Sequence, residues 1–181
     1  RFRANIAVLL NITPDHLDRY DHCMQNYVDA KMRILQNQEE TDAFVYWNDD
    51  PIIRKELEKY QIKAKKCPFS ILKKKMIGYL ADGQYVIEYP TPFNMEQESL
   101  ALTGKHNMYN SLAAGITADI AGVKNEVIRQ SWVISRVWNT AWRKWCVCVA
   151  WIYQRFQGHQ RGCLLVCIGE HENAHGIDFG R

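Results

Sequence analysis

The first 130 residues predict an α/β fold in which helices flank a mostly parallel sheet. Two observations carry this. Ala4 to Ile12 (ANIAVLLNI) is an apolar run without strict alternation, as expected of a strand covered on both faces. Strand-like and helix-like segments then alternate along the chain, the order that builds parallel sheets. Thr13-Pro14-Asp15-His16 has helix-start chemistry, with Thr as N-cap, Pro in the first turn and Asp near the positive end of the dipole. A second helix is expected over 23–37, a strand over 41–49 (TDAFVYWND), and a helix over 51–60 opened by Pro51. QIKAKKCPF (61–69) reads as a strand and GYLADGQYVIEYP (78–90) as a hairpin turning at Asp82-Gly83. Residues 102–122 form a small-residue-rich helix ended by Gly122, and a short helix follows from Asn125.

The length of 181 residues suits one domain with a real core. Apolar content of 47% and charged content of 24% are those of a soluble globular protein. The longest apolar runs fall far short of the ~20 residues that span a bilayer, so no membrane role is expected. No signal peptide opens the chain. It starts at Arg1, inside what reads as a strand, and is expected to be a piece of a longer protein. The net charge of +3 is uneven: residues 1–130 carry 17 basic and 17 acidic residues, residues 131–181 carry 6 and 3. Four of the six cysteines and five of the six tryptophans also lie past residue 130. A boundary is therefore drawn there.

The second helix holds an anomaly. Met24, Tyr27, Val28, Ile34 and Leu35 make one inward stripe, and its i+7 position is Lys31. Either Lys31 buries its stem and snorkels to water, or its amine is held in a site. Asp15 and His16 lie just after the first strand, at the carboxyl end where open α/β sheets bind ligands. A histidine there is also an ordinary helix-terminal residue.

N-I-T-P-D-H-L-D-R-Y followed by Y-V-D-A-K, with His16 and Lys31 fifteen apart, resembles the Mur ligases, ATP-dependent amide-forming enzymes of peptidoglycan synthesis. Leu17-Asp18-Arg19-Tyr20 is similar to the branch that adds D-glutamate to UDP-N-acetylmuramoyl-L-alanine, and LTGKHNMYNSLAA (102–114) is similar to the family's His-Asn-x-x-Asn helix. The resemblance covers 1–130, which it makes part of the family's central ATP-binding domain. It implies that His16 ligates a catalytic Mg²⁺ and that Lys31 is carried as a carbamate, an anion able to hold a hard cation through oxygen. It implies that Asn107 contacts the nucleotide and that Asp15 and Tyr27 lie near the substrate side. Catalytic roles would fall to Lys31 and His16. The implied reaction uses ATP to phosphorylate the alanyl carboxylate, and the D-glutamate amine attacks the acyl phosphate. A cytoplasmic bacterial monomer that binds neither nucleic acid nor membrane is implied as well.

No G-x-x-x-x-G-K-[ST] phosphate loop occurs in the chain. In the family it lies upstream of the strand on which this chain opens, as does the UDP-binding domain; the domain that receives the amino acid lies downstream. The chain by itself is expected to be inactive.

Residues 131–181 admit three readings. One is a basic, aromatic nucleic-acid arm. Another is a metal site from Cys146, Cys148, Cys163, Cys167, His171 and His175, whose spacings match no common zinc pattern well. The third is a frame error. Codons permitted for Val137 to Trp145, regrouped by carrying each last base forward, include GTG GAA CAC CGC CTG GAG AAA GTG, or V-E-H-R-L-E-K-V. The opposite regrouping of Tyr153 to Arg161 permits I-N-D-S-K-A-T-N. Both resemble Mur ligase motifs, in order and at about the expected distance. The tail is read as out of frame, not as a domain, with a second slip near residue 152. The functional alternatives are a Mur-type ligase for another amino acid, or a non-enzymatic metal- or nucleic-acid-binding protein acting through the tail.

Overall fold

The computed structural model describes residues 3–14, 17–99, 104–134 and 164–167. Seven strands form one sheet: β1 (Ile6–Leu9), β2 (Ala43–Trp47), β3 (Lys65–Ser70), β4 (Gly78–Ala81), β5 (Gln84–Ile87), β6 (Phe93–Glu96) and β7 (Leu164–Cys167). Their order is β6-β5-β4-β3-β2-β1-β7. Pairing is parallel from β7 through β1, β2 and β3 to β4, then antiparallel through β5 and β6. Helices α1 (Met24–Met32) and α2 (Pro51–Leu57) cover one face; α3 (Lys105–Ile120) and α4 (Asn125–Ile134) cover the other. The α/β expectation holds.

All four residues of β1 are buried because both faces are covered. Val8 and Leu10 pack with Val45, Phe69, Leu112 and Ile116 beneath α3, whereas Ala7 and Leu9 pack with Phe44, Tyr27, Val28 and Ile53 beneath α1 and α2. The hairpin turns at Asp82 and Gly83 as expected, both at positive φ (52° and 76°), the conformation of a two-residue primed turn. At the end of α3, Gly122 N–H donates to Asp119 O and Val123 N–H to Ala118 O, the paired bonds of a Schellman stop.

The elements differ from expectation in several places. The helix start read at Thr13-Pro14 yields, among the described residues, one 3₁₀ turn at Leu17–Tyr20 with no fully buried residue, and α1 begins at Met24. Asp21 and His22 at positive φ (55° and 54°) interrupt any helix running through this segment. The helix expected over 23–37 ends at Met32 and tightens into a 3₁₀ turn at Arg33–Leu35, which still buries Ile34. The strand β6 was not expected, although Phe93 and Met95 alternate inward with exposed Asn94 and Glu96. Helix α4 continues past residue 130, with Trp132 in the core, and β7 falls within the segment read as out of frame. Among the described residues no helix is long and apolar enough to cross a membrane.

At the amino ends of the central strands Asp42 is buried and clamped. Its carboxylate accepts from Arg3 Nε (2.8 Å) and Nη2 (3.0 Å), Asn5 Nδ2 (3.2 Å) and Glu39 N–H (2.7 Å). Burial alone would raise its pKa, but the Arg3 and Glu39 hydrogen bonds, the Arg3 charge and Asn5 hold it below the usual carboxylate value. A depressed folded pKa contributes stability above the unfolded value of ~3.9, lost as pH falls through the lower folded value. Melting temperature should therefore drop more steeply below about pH 4 in the wild type than in Asp42→Asn. Parallel acid limbs would exclude Asp42 as a source of acid sensitivity.

Candidate functional site

The carboxyl ends of β1, β2 and β3 meet the start of α3. Two adjacent aspartates organise this edge. Asp50 is buried; its Oδ1 accepts from Ile52 N–H (2.8 Å) and Ile53 N–H (3.1 Å), capping α2, while Oδ2 accepts from Ile12 N–H (3.0 Å). One carboxylate thus ties the start of α2 to the chain leaving β1, which leads directly into Asp15 and His16. Asp49 accepts from Trp47 Nε1 (3.1 Å), Ser70 Oγ (2.6 Å) and Ile71 N–H (2.9 Å), joining the exits of β2 and β3. Neither aspartate was singled out from sequence. The Asp-Pro pair at 50–51, an N-cap followed by a first-turn proline, was the available signal.

Helix α3 starts on Gly104, whose φ of 98° and ψ of 151° suit glycine and few other residues. Asn107, in the first turn, is half-buried, and its N–H donates to Gly104 O (3.1 Å). Tyr109 is buried and stacks on Trp47, with centroids 4.6 Å apart and planes at 22°. Its hydroxyl hydrogen-bonds with His106 Nδ1 and with the Asn11 side chain. Burial raises the Tyr109 pKa, and the Asn11 bond lowers it in part. Asn11 follows β1, so this cluster brings the exit of β1 against the helix that carries Asn107.

Lys31 is half-buried on α1. Its Nζ is shielded from solvent and lies 4.7 Å from the centroid of the Tyr27 ring, one turn back toward the start of α1. It does not reach freely into water as a snorkelling lysine would. Tyr27 is itself buried and meets Tyr20 edge-on at 5.3 Å. The stripe is real in part: Tyr27, Val28 and Ile34 are buried, Met24 and Leu35 half-buried. Asp15, His16, Cys146, Cys148, Cys163, His171 and His175 lie outside the described residues, and Cys167 ends β7. Among the described residues no group of three His, Cys, Asp or Glu side chains could hold a metal ion. As an ammonium Lys31 would repel a cation. It fits a Mg²⁺ site only as a carbamate, whose oxygens are hard donors.

A groove of about 550 Å³ lies elsewhere, between α1 and the segment after α2, lined by Asn26, Asp29, Arg33, Tyr60 and Ile62 among others. None of the candidate residues lines it.

The sequence is similar to known proteins over these elements. Residues 1–118 match the profile of the Mur ligase middle domain. Proteins named UDP-N-acetylmuramoylalanine–D-glutamate ligase from Bacteroides fragilis and Bacteroides thetaiotaomicron are each 63% identical over 131 residues. That stretch is 72% of this chain and 30% of each relative. The protein of the same name from Porphyromonas gingivalis is 43% identical over 134 residues. The chain thus spans about a third of the length of the curated relatives it matches. A crystal structure of MurF ligase from Thermotoga maritima in complex with ADP aligns at 24% identity and a TM-score of 0.34, covering 52% of this chain and 22% of that one. The profile match runs from β1 through most of α3, the elements whose ends form the edge described above, and the chain belongs to the Mur ligase family through its middle domain.

Proposed function

We propose that this chain is the central part of an ATP-dependent ligase that adds D-glutamate to UDP-N-acetylmuramoyl-L-alanine in the bacterial cytoplasm. The observation that carries it is the Trp47–Tyr109 stack, which sets the helix start bearing Asn107 against the end of β2, beside the β1 exit that leads to Asp15 and His16. The names of the relatives supply the amino acid and the nucleotide sugar. In this reading ATP phosphorylates the alanyl carboxylate, and the amine of D-glutamate displaces phosphate.

The residues divide the work. His16 and a carbamylated Lys31 would hold Mg²⁺, which would neutralise phosphate oxygens as charge builds on them. Tyr27 packs under the Lys31 stem and limits where its head can go. Asn107 would meet the nucleotide, and Asp15 and Tyr27 would lie toward the substrate. Asp50 keeps the exit of β1 at a fixed distance from α2, so positioning is built into the backbone.

We further propose that the segment after Ile134 is translated out of frame. The two regrouped Mur motifs support this, and so does the matched length of 131 residues in the Bacteroides relatives. Because β7 lies beside the otherwise open edge of β1, four apolar residues in any frame could supply it.

The test is a chimera in which residues 1–134 replace the matching stretch of the Bacteroides fragilis relative. D-glutamate-dependent phosphate release is expected from the chimera and none from the 181-residue chain, which lacks the phosphate loop. A folded chimera that is silent, or one that prefers another amino acid, would overturn the assignment.

A further inference from the structure

We infer that Asp49 is a positioning residue for the first turn of α3: its carboxylate holds the Trp47 indole in the plane on which Tyr109 rests, and so sets where Asn107 stands. That Asn107 meets a nucleotide rests on the function proposed above; the placement of the helix does not.

Gly104 brings no side chain to cap α3, so the direction in which the helix sets out depends on what its first turns pack against. They meet Trp47, the last residue of β2. Tyr109 is buried and lies on the indole, with centroids 4.6 Å apart and planes at 22°. The outer torsion of a tryptophan is broad and roughly two-fold, so the plane of the ring is not set by its own rotamer. A hydrogen bond at the ring edge selects one plane. Trp47 Nε1–H donates to Asp49 Oδ2 at 3.1 Å.

The carboxylate is itself tied down. Oδ1 accepts from Ser70 Oγ–H (2.6 Å), and Oδ2 accepts also from Ile71 N–H (2.9 Å). Ser70 is fully buried, and its Oγ accepts from Leu72 N–H (3.0 Å) and Lys73 N–H (2.7 Å). Those donors all lie at the exit of β3, so the indole is referenced to the sheet. An aspartate that only braced this turn would bond to the β3 exit alone. Asp49 makes one further bond, to a ring whose face touches α3, and that bond carries its fixed position across to the helix.

The test has two arms. In the ¹⁵N-labelled 181-residue chain, the Trp47 indole N–H is picked out from those of the six tryptophans by its loss in Trp47→Phe. Asp49→Asn keeps the shape of the side chain but turns one acceptor into a donor that faces donors. In that variant the indole signal should move upfield and exchange faster with water, and the backbone amides of Lys105 to Asn107 should shift with it. An unmoved indole signal, or unmoved amides at the start of α3, would overturn the positioning role. Should Asp49→Asn fail to fold, Trp47→Phe, which leaves Asp49 bonded to Ser70 and Ile71, gives the same comparison of the amides. In the chimera, Asp49→Asn and Trp47→Phe should each raise KM for ATP about fivefold to tenfold and change kcat less than about twofold. Combined, they should raise KM no further than the larger single effect, because both cut one bond. A lower melting temperature with KM unchanged, or additive effects on KM, would overturn the role. A wild-type chimera without ligase activity, beside shifted amides in the chain, would overturn the ligase assignment and leave the placement of α3 by Asp49 standing.

Discussion

Lys31→Ala in the chimera should lower turnover by about a hundredfold or more, the scale of losing one charge-stabilising group in a preorganised site. The expected cause is loss of the carbamate oxygens, and acetate should restore part of the rate. Acetate carries the same two oxygens on a small frame and can enter the space the side chain leaves. The alternative starts from the same geometry. Lys31 Nζ sits 4.7 Å from the Tyr27 ring centroid, and a plain ammonium in that place stabilises by about 0.5–2 kcal/mol as a cation–π pair. Were that its whole role, Lys31→Ala would lower the melting temperature and leave kcat nearly intact, with no response to acetate. Lys31→Met separates the two further, because it keeps the stem packed on Tyr27 while supplying no oxygen. Turnover near wild type in Lys31→Met would sink the carbamate assignment.

What was legible in the sequence was local. Asp82-Gly83 announces its turn because both residues tolerate positive φ, and the apolar run through Ile6 to Leu9 announces burial on both faces. The same local chemistry gave too long a helix after Thr13-Pro14, where the cap signal precedes a short segment whose only core contacts are the half-buried Leu17 and Tyr20. Strand β6 was hidden because it is four residues long and follows Pro90 and Pro92, which read as loop.

The site divides in the same way. Lys31 stood out because one position in a helical stripe had the wrong polarity. Asp50 did not: its bond to Ile12 N–H spans 38 residues, and no local pattern encodes that. The Trp47–Tyr109 stack likewise joins β2 to α3, so the seat of Tyr109 becomes visible only once α3 lies across the sheet.

Gly115→Ala should destabilise the fold by about 1–3 kcal/mol, against the usual gain of ~1 kcal/mol for that change within a helix. Gly115 lies in the middle of α3 where α4 crosses it. A methyl group there would sit 2.5 Å from Trp132 Cζ2 and 2.9 Å from Ile87 Cδ1, closer than carbon atoms can approach. Trp132 has little room to yield, since its ring also meets Tyr85 edge-on at 5.6 Å and Phe93 at 6.0 Å. Truncating the indole should make that room. Trp132→Leu alone should destabilise, because it removes a buried aromatic, but combined with Gly115→Ala the two costs should total less than their sum. A favourable coupling of about 1 kcal/mol or more in urea unfolding is expected for side chains in contact. This cycle also bears on where the genuine protein continues, because Trp132 lies beyond the boundary drawn at residue 130 from composition. A small residue on α3 matched to a large one on α4 is a fit between two elements that an out-of-frame residue would have no reason to make. Strict additivity of the two substitutions would mean that Trp132 does not occupy this seat, and that the in-frame body stops before it.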